Sequence, residues 1–201
     1  MKLSKKGEYA LRALIDLGIA AEVERDLVQV AELADKERIP IKFLEQIMQE
    51  LKASGFVVSQ RGKFGGYRLS RPSSEITVGS VVRLIDGPLA PIGCVSHTAY
   101  EKCSCPDETH CGLRMLMLDV RNAIAGILDR YSLADVVEVT TRKMRRDDIP
   151  LPFSESRQPP SGSQRHLQSV PQAARSRPVP PDRRLAPVEG LLSNLLPDYT
   201  I

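Results

Sequence analysis

The sequence predicts a mostly α-helical fold with a small β wing, in which a winged helix-turn-helix domain is joined to a long dimerisation helix. Three observations lead there: a helix, tight turn, helix succession between Val30 and Gly55, a glycine-punctuated basic hairpin after it, and an apolar stripe from Leu113 to Leu128. Composition agrees with this reading. Of 201 residues 42% are hydrophobic but only 4% aromatic, with no Trp, so the core is built from Leu, Ile, Val, Ala and Met, as is typical of helical domains.

Ser4 can cap a first helix running to about Ala21, with Ala10, Ala13, Leu14, Leu17 and Ala21 on one buried face. A short second helix, Val30 to Lys36, turns Val30, Leu33 and Ala34 inward. The turn through Glu37, Arg38 and Ile39 leads to Pro40, whose fixed φ and missing N–H suit the first turn of a third helix ending at Gly55. Leu44, Ile47, Met48 and Leu51 form its apolar face. Val57 and Val58, a glycine-rich turn and the strand Tyr67 to Leu69 read as a wing. Thr77 to Ile85 makes a linking helix, stopped by the run DGPLAP. The long helix, Leu113 to about Tyr131, aligns Leu113, Leu116, Met117, Val120, Ile124, Ile127 and Leu128; Ser132 with Asp135 then reads as a capping box opening a last helix through Val139. The small head already has its own core, so the long stripe calls for a second chain and a homodimer.

Four segments are therefore expected: a DNA-binding head with its linking helix at 1–90, a cysteine-rich loop at 91–111, dimerisation helices at 112–148, and a disordered tail at 149–201. The tail is rich in Pro, Arg and Ser and holds ten of the fifteen prolines. Glu8, Arg12 and Asp16 interrupt the N-terminal apolar run before it reaches membrane-span length, which predicts a cytoplasmic protein with no membrane partner. The net charge of +3 carries no argument for a polyanion, so positive charge must be arranged locally.

Such an arrangement is legible. The outer face of the third helix offers Lys42, Glu45, Gln46, Gln49 and Lys52, side chains able to bond base edges in a major groove. Glu45 is the informative one, because a carboxylate is repelled by phosphates and belongs there only if it reads a base. On the wing, Arg61, Lys63 and Arg68 surround Gly62, Gly65 and Gly66, and Tyr67 opens the second strand as a further contact candidate. The expected partner is double-stranded DNA, and two-fold symmetry of the protein implies a palindromic operator.

All four cysteines, Cys94, Cys103, Cys105 and Cys111, fall in the stretch GCVSHTAYEKCSCPDETHCGLR. In a reducing compartment they stay thiols, which favours a metal or an iron-sulfur cluster over disulfides. Zinc is the rival ligand, as a structural staple. No nucleophile-base pair or phosphate-cradling loop is present, and the three His leave little for acid-base work, so no enzyme is expected.

Over roughly Met1 to Thr141 the chain resembles the bacterial winged-helix regulators of the Rrf-two family, on the segments KKGEYALRALIDL, IPIKFLEQIMQELKASGFV, RGKFGGYRL and DGPLAPIGCV and a cysteine loop leading into a long helix. The resemblance implies a dimer whose long helices cross, with Lys42 and Glu45 as base readers and Arg61 as a minor-groove contact. It implies a cluster, of two or four irons, sensing iron-sulfur status, redox state or nitric oxide. Family sensors space three cysteines C-x5-C-x5-C; Cys105 and Cys111 keep the second interval and Cys94 takes the first place, while Cys103 is an addition. In some relatives a partner-subunit carboxylate is the fourth ligand, and Glu8 occupies the comparable place; in others a His does so, where this chain has Arg114. A cluster-free branch controlled by a protein partner is the alternative the resemblance leaves open.

Overall fold

The computed structural model describes residues 2–154. The tail expectation for 155–201 lies outside them. Six α-helices and a two-stranded sheet follow in order: α1 (Lys5–Glu22), α2 (Val30–Glu37), α3 (Ile41–Ala53), β1 (Val57–Gln60), β2 (Gly66–Leu69), α4 (Val78–Asp86), α5 (Gly112–Arg130) and α6 (Leu133–Arg146).

Ser4 is the N-cap of α1, its Oγ accepting the Gly7 N–H at 2.9 Å. The helix is buried on more than one face: Ala10, Ala13, Leu14, Leu17, Ile19 and Ala20 are all within the core, whereas Ala21, expected inside, is exposed. The reason is that α2, α3, α4, α6 and β2 all pack against it. Arg38 closes α2 in the left-handed region at φ 53°, turning the chain into α3. Pro40 sits at the N-cap of α3 rather than inside its first turn, and its carbonyl accepts from the Phe43 and Leu44 N–H groups. Leu44, Ile47, Met48 and Leu51 are fully buried, as the spacing predicts.

The strands pair antiparallel, Val57 opposite Leu69 and Gln60 opposite Gly66. Their seat is a backbone exchange with the α1–α2 connection, Tyr67 N–H to Val28 O at 2.8 Å and Val28 N–H to Tyr67 O at 3.0 Å. The capping box of Ser132 and Asp135 forms. The last helix, however, runs to Arg146, well past Val139. Its β-branched run VEVTT hides helical spacing, and Lys143, Arg145 and Arg146 favour a helix C-terminus. Leu133 and Val137 enter the head core, where Val137 meets the bare face of Gly18. Beyond it Phe153 returns to the core, so order extends past the composition change at Ile149.

α5 is inside-out for a lone chain. Its inner side buries Arg114, Leu118, Asp119 and Arg121, while Leu113 (57%), Leu116 (42%), Val120 (37%) and Ile127 (57%) of the predicted stripe face outward. No helix among the described residues is long and apolar enough to cross a membrane.

Within α1, Asp16 is 2% exposed, ion-paired through one oxygen with Lys36 while its Oδ2 has no partner. Burial pushes its carboxyl from 3.8 up to about 6, against the pull of Lys36. Because the folded value lies above the unfolded one, the stability Asp16 contributes is full below about pH 4 and is lost as pH rises through about 6. Asp16→Asn, which stays neutral, is expected to gain melting temperature relative to the parent between about pH 4 and pH 7.5; a difference that stays flat across thermal melts in that range contradicts the assignment.

Candidate nucleic-acid interface and cysteine site

The α3 side chains predicted to meet bases lie on its outer face: Lys42, Gln46 and Gln49 are exposed and Glu45 half-exposed. Lys42 Nζ and Glu45 Oε2 are ion-paired at 3.1 Å across one helical turn. A surface pair of this kind is worth little, so a base can displace the lysine from the carboxylate at low cost. On the wing Arg61 and Lys63 are exposed, and the Lys63 carbonyl accepts from the Gln29 side chain at 3.1 Å. Gln49, Lys52, Arg61 and Tyr67 meet the start of α2 in a cleft of about 560 Å³. Tyr67 is half-buried at its floor, packed against the core. Lys52 donates to Ser59 Oγ at 2.6 Å and so ties the end of α3 to β1. Gln29 and Ser59 carry no sequence signal of their own; only the fold brings them to this cleft.

The loop from Gly87 to Cys111 starts from a fixed root. The Asp86 carboxylate at the end of α4 accepts from the Ser4 N–H at 2.9 Å and from its Oγ, so it caps α1 from outside. Gly7 leaves the room; a Cβ there would stand 2.7 Å from Asp86 Oδ2. All four cysteines then line one cavity of about 300 Å³, with Glu101, Lys102 and Arg114 beside them. Cys94 is buried and packs with Val95 and Leu118; Cys103, Cys105 and Cys111 are half-buried, and all are free thiols. Cys103 is the hub. Hydrogen bonding from Cys105, and more weakly from Cys94, pulls its thiol down, while giving that hydrogen bond to Cys103 pushes Cys105 up to about 12, with Cys111 adding to it. Burial is the main cause raising Cys94. Among the described residues no three His, Cys, Asp or Glu side chains form a single-ion site.

Glu8 is not among the residues lining this cavity. It bonds Lys5 at 2.8 Å and Arg12 at 3.4 Å on its own helix, which holds its carboxyl below the usual range. Of the loop histidines, His110 pairs with Asp107 at 2.6 Å and His97 lies against Arg121.

The family model described as Rrf2, iron-dependent transcriptional regulator, matches residues 3–139. The chain belongs to the Rrf2 family. It is 37% identical over 139 residues to the HTH-type transcriptional regulator rrf2-like of Rhodobacter capsulatus, covering 67% of this chain and 91% of that one. It is 33% identical over 137 residues to the HTH-type transcriptional regulator IscR of Aliivibrio salmonicida, covering 68% and 77%. Among solved structures it is similar to CymR, the global cysteine regulator of B. subtilis (TM-score 0.58, 28% identity, 69% of this chain and 98% of that one). T. potens IscR follows at TM-score 0.56 and 25% identity, covering 71% and 90%. The winged-helix fold, a role in transcription regulation through DNA, and relatives that are regulators rather than enzymes are thereby established for this Rrf2 chain.

Two residues of this Rrf2 site escape a motif reading. Asp86 reads as a mere helix stop before Gly87 and Pro88, and Arg114 as a missing ligand; the one sequence signal for Arg114 is a cation in a helix's first turn, against the dipole. The wing's seat is testable. A Cβ at Gly66 would stand 2.6 Å from the Val28 carbonyl oxygen, so Gly66→Ala is expected to cost about 1–3 kcal/mol in urea unfolding and to expose the β2 amides to hydrogen exchange; unchanged exchange in β2 means the seat is not tight.

Proposed function

We propose that the chain is a dimeric, sequence-specific transcription regulator whose hold on a palindromic operator is switched by an iron-sulfur cluster bound to Cys94, Cys103, Cys105 and Cys111. One observation carries the reading: every cysteine of the chain lines the same cavity, at the point where the loop returns to α5. These residues fit the group. Four soft donors line one cavity, and thiolate is the ligand type that iron-sulfur clusters take. When bound, the cluster supplies a redox- and nitric oxide-sensitive tie among the sulfurs. The family's description as iron-dependent supports an iron centre; the outward stripe of α5 supports the dimer, because four large apolar side chains on one helix face are costly to leave in water.

The chain's own residues make the coupling. Asp86 fixes the loop's root to the first turn of α1, and Arg83 fixes α4 to α5 through a two-pronged pair with Asp129, both contacts at 2.6 Å. With the sulfurs tied together, the loop holds the start of α5, and so the partner's head, in one relation to its own head. Released, Cys94 and Cys111 move independently, and the balance between DNA-competent and incompetent dimers shifts. On DNA, Lys42 and Glu45 face base edges, Gln46 and Gln49 flank them, and Arg61, Lys63 and Tyr67 bring the wing to the neighbouring groove.

Anaerobic purification with iron and sulfide counts tests this directly. The parent is expected to be coloured, and its affinity for its own promoter to change between about fivefold and 150-fold on cluster removal. Cys105→Ala is expected to be colourless yet to keep the parent's mass in light scattering; equal promoter occupancy by loaded and stripped protein refutes the switch. Glu45→Ala is expected to lose about 1–3 kcal/mol of discrimination at one base pair while keeping affinity for unrelated DNA, read from an operator-variant panel.

A further inference from the structure

We propose that Arg114 is the built-in counter-charge of an all-cysteine site: it closes the loop around the four sulfurs and makes the bound centre easier to reduce, with no carboxylate ligand needed. This rests on the cluster reading above. Arg114 stands in the first turn of α5, a turn with no acidic residue, where a cation opposes the helix dipole. It is buried all the same, its side chain 11% exposed. A guanidinium in that setting needs negative charge around it. Its Nε meets the Cys94 carbonyl at 3.3 Å and Glu108 Oε1 at 3.2 Å, so it joins the two ends of the loop. Glu108 is a shared partner, since the Tyr100 hydroxyl also bonds both its oxygens at 2.9 Å. Bound as thiolates, the sulfurs lining the same cavity would supply the rest.

Arg114 is placed to act on the sulfurs because its guanidinium bonds the Cys94 carbonyl and lines the same cavity. Glu101 and Lys102, the other charged residues at the cavity, are exposed and screened. Glu8 is engaged by Lys5 and Arg12. Reduction brings one electron from an external donor and neither makes nor breaks a bond, so the site becomes more negative by one charge. A buried cation beside it favours that state, and a buried anion disfavours it.

The full-length protein, loaded anaerobically and titrated with dithionite as the one-electron donor, tests the assignment. At a fixed solution potential Arg114→Gln is expected to lower the reduced-to-oxidised ratio about tenfold, equivalent to about 59 mV. Arg114→Lys should lower it far less, and Glu108→Gln should raise it. Cys103→Ala should lose iron and sulfide while Glu8→Gln keeps both. Cluster loss in Arg114→Gln but not in Arg114→Lys also supports the proposal, because the two differ in charge; loss in both overturns it. So do unchanged ratios in Arg114→Gln and Glu108→Gln, or a cluster lost in Glu8→Gln and kept in Cys103→Ala. A parent without iron or sulfide defeats the cluster reading and this inference together, whereas a loaded parent indifferent to both charges defeats this inference alone.

Discussion

Everything in the head is built on α1, and the constraint is that one helix must serve several neighbours at once. An ordinary surface helix buries one stripe. Here α2 and α3, the wing strand, α4 and α6 all lean on the same eighteen residues. Small side chains make this possible: Ala10, Ala13 and Ala20 allow close approach, and Gly18 receives Val137. Asp16 sits in the same surface at the cost of desolvation. Its bond to Lys36, which also bonds Glu37 at 2.6 Å, locks α2 to α1 and so sets the angle from which α3 is presented.

α5 obeys the opposite logic. Arg114, Asp119 and Arg121 face its own chain while Leu113, Leu116, Val120 and Ile127 face out, a distribution that suits apolar surface laid over it. These polar residues are put to use: buried Arg114 braces the cysteine loop, buried Arg121 lies against His97, and exposed Asp129 holds Arg83 of α4. The proposed dimer and the proposed cluster site thus share the start of α5, where Leu113 belongs to the outward stripe and also lines the cysteine cavity, so a change at the sulfurs would be felt where the second copy would sit.

The sequence-level reading recovered what periodicity and caps encode. Leu44, Ile47, Met48 and Leu51 were legible because burial on one face of α3 repeats at helical spacing, and the Ser132 box because both partners lie within one turn. Ala21 was misplaced because a helix buried on several faces has no single stripe to find. α6 was cut short because β-branched Thr140 and Thr141 look strand-like, although Thr140 returns its hydroxyl to the Val136 carbonyl at 2.7 Å and stays helical. At the site the four cysteines announce themselves by clustering. That all four line one cavity together with Arg114 depends on how a loop of some two dozen residues folds back, which no local pattern records.

The joint between loop and head deserves weight because it sits at neither function's motif. Asp86 ends α4, yet its charge is used at the start of α1, where the free N–H groups and the dipole both favour an anion. Were the root of the loop free, motion at the cysteines would dissipate in the connection and leave α1 unmoved. Because Ser4 holds Asp86 in contact and Gly7 leaves it room, the proposed motion would act on the helix to which α2, α3 and the wing are attached. The proposed coupling then needs no long chain of contacts, because one cap connects the cysteine loop to the helix against which α2, α3 and the wing strand pack.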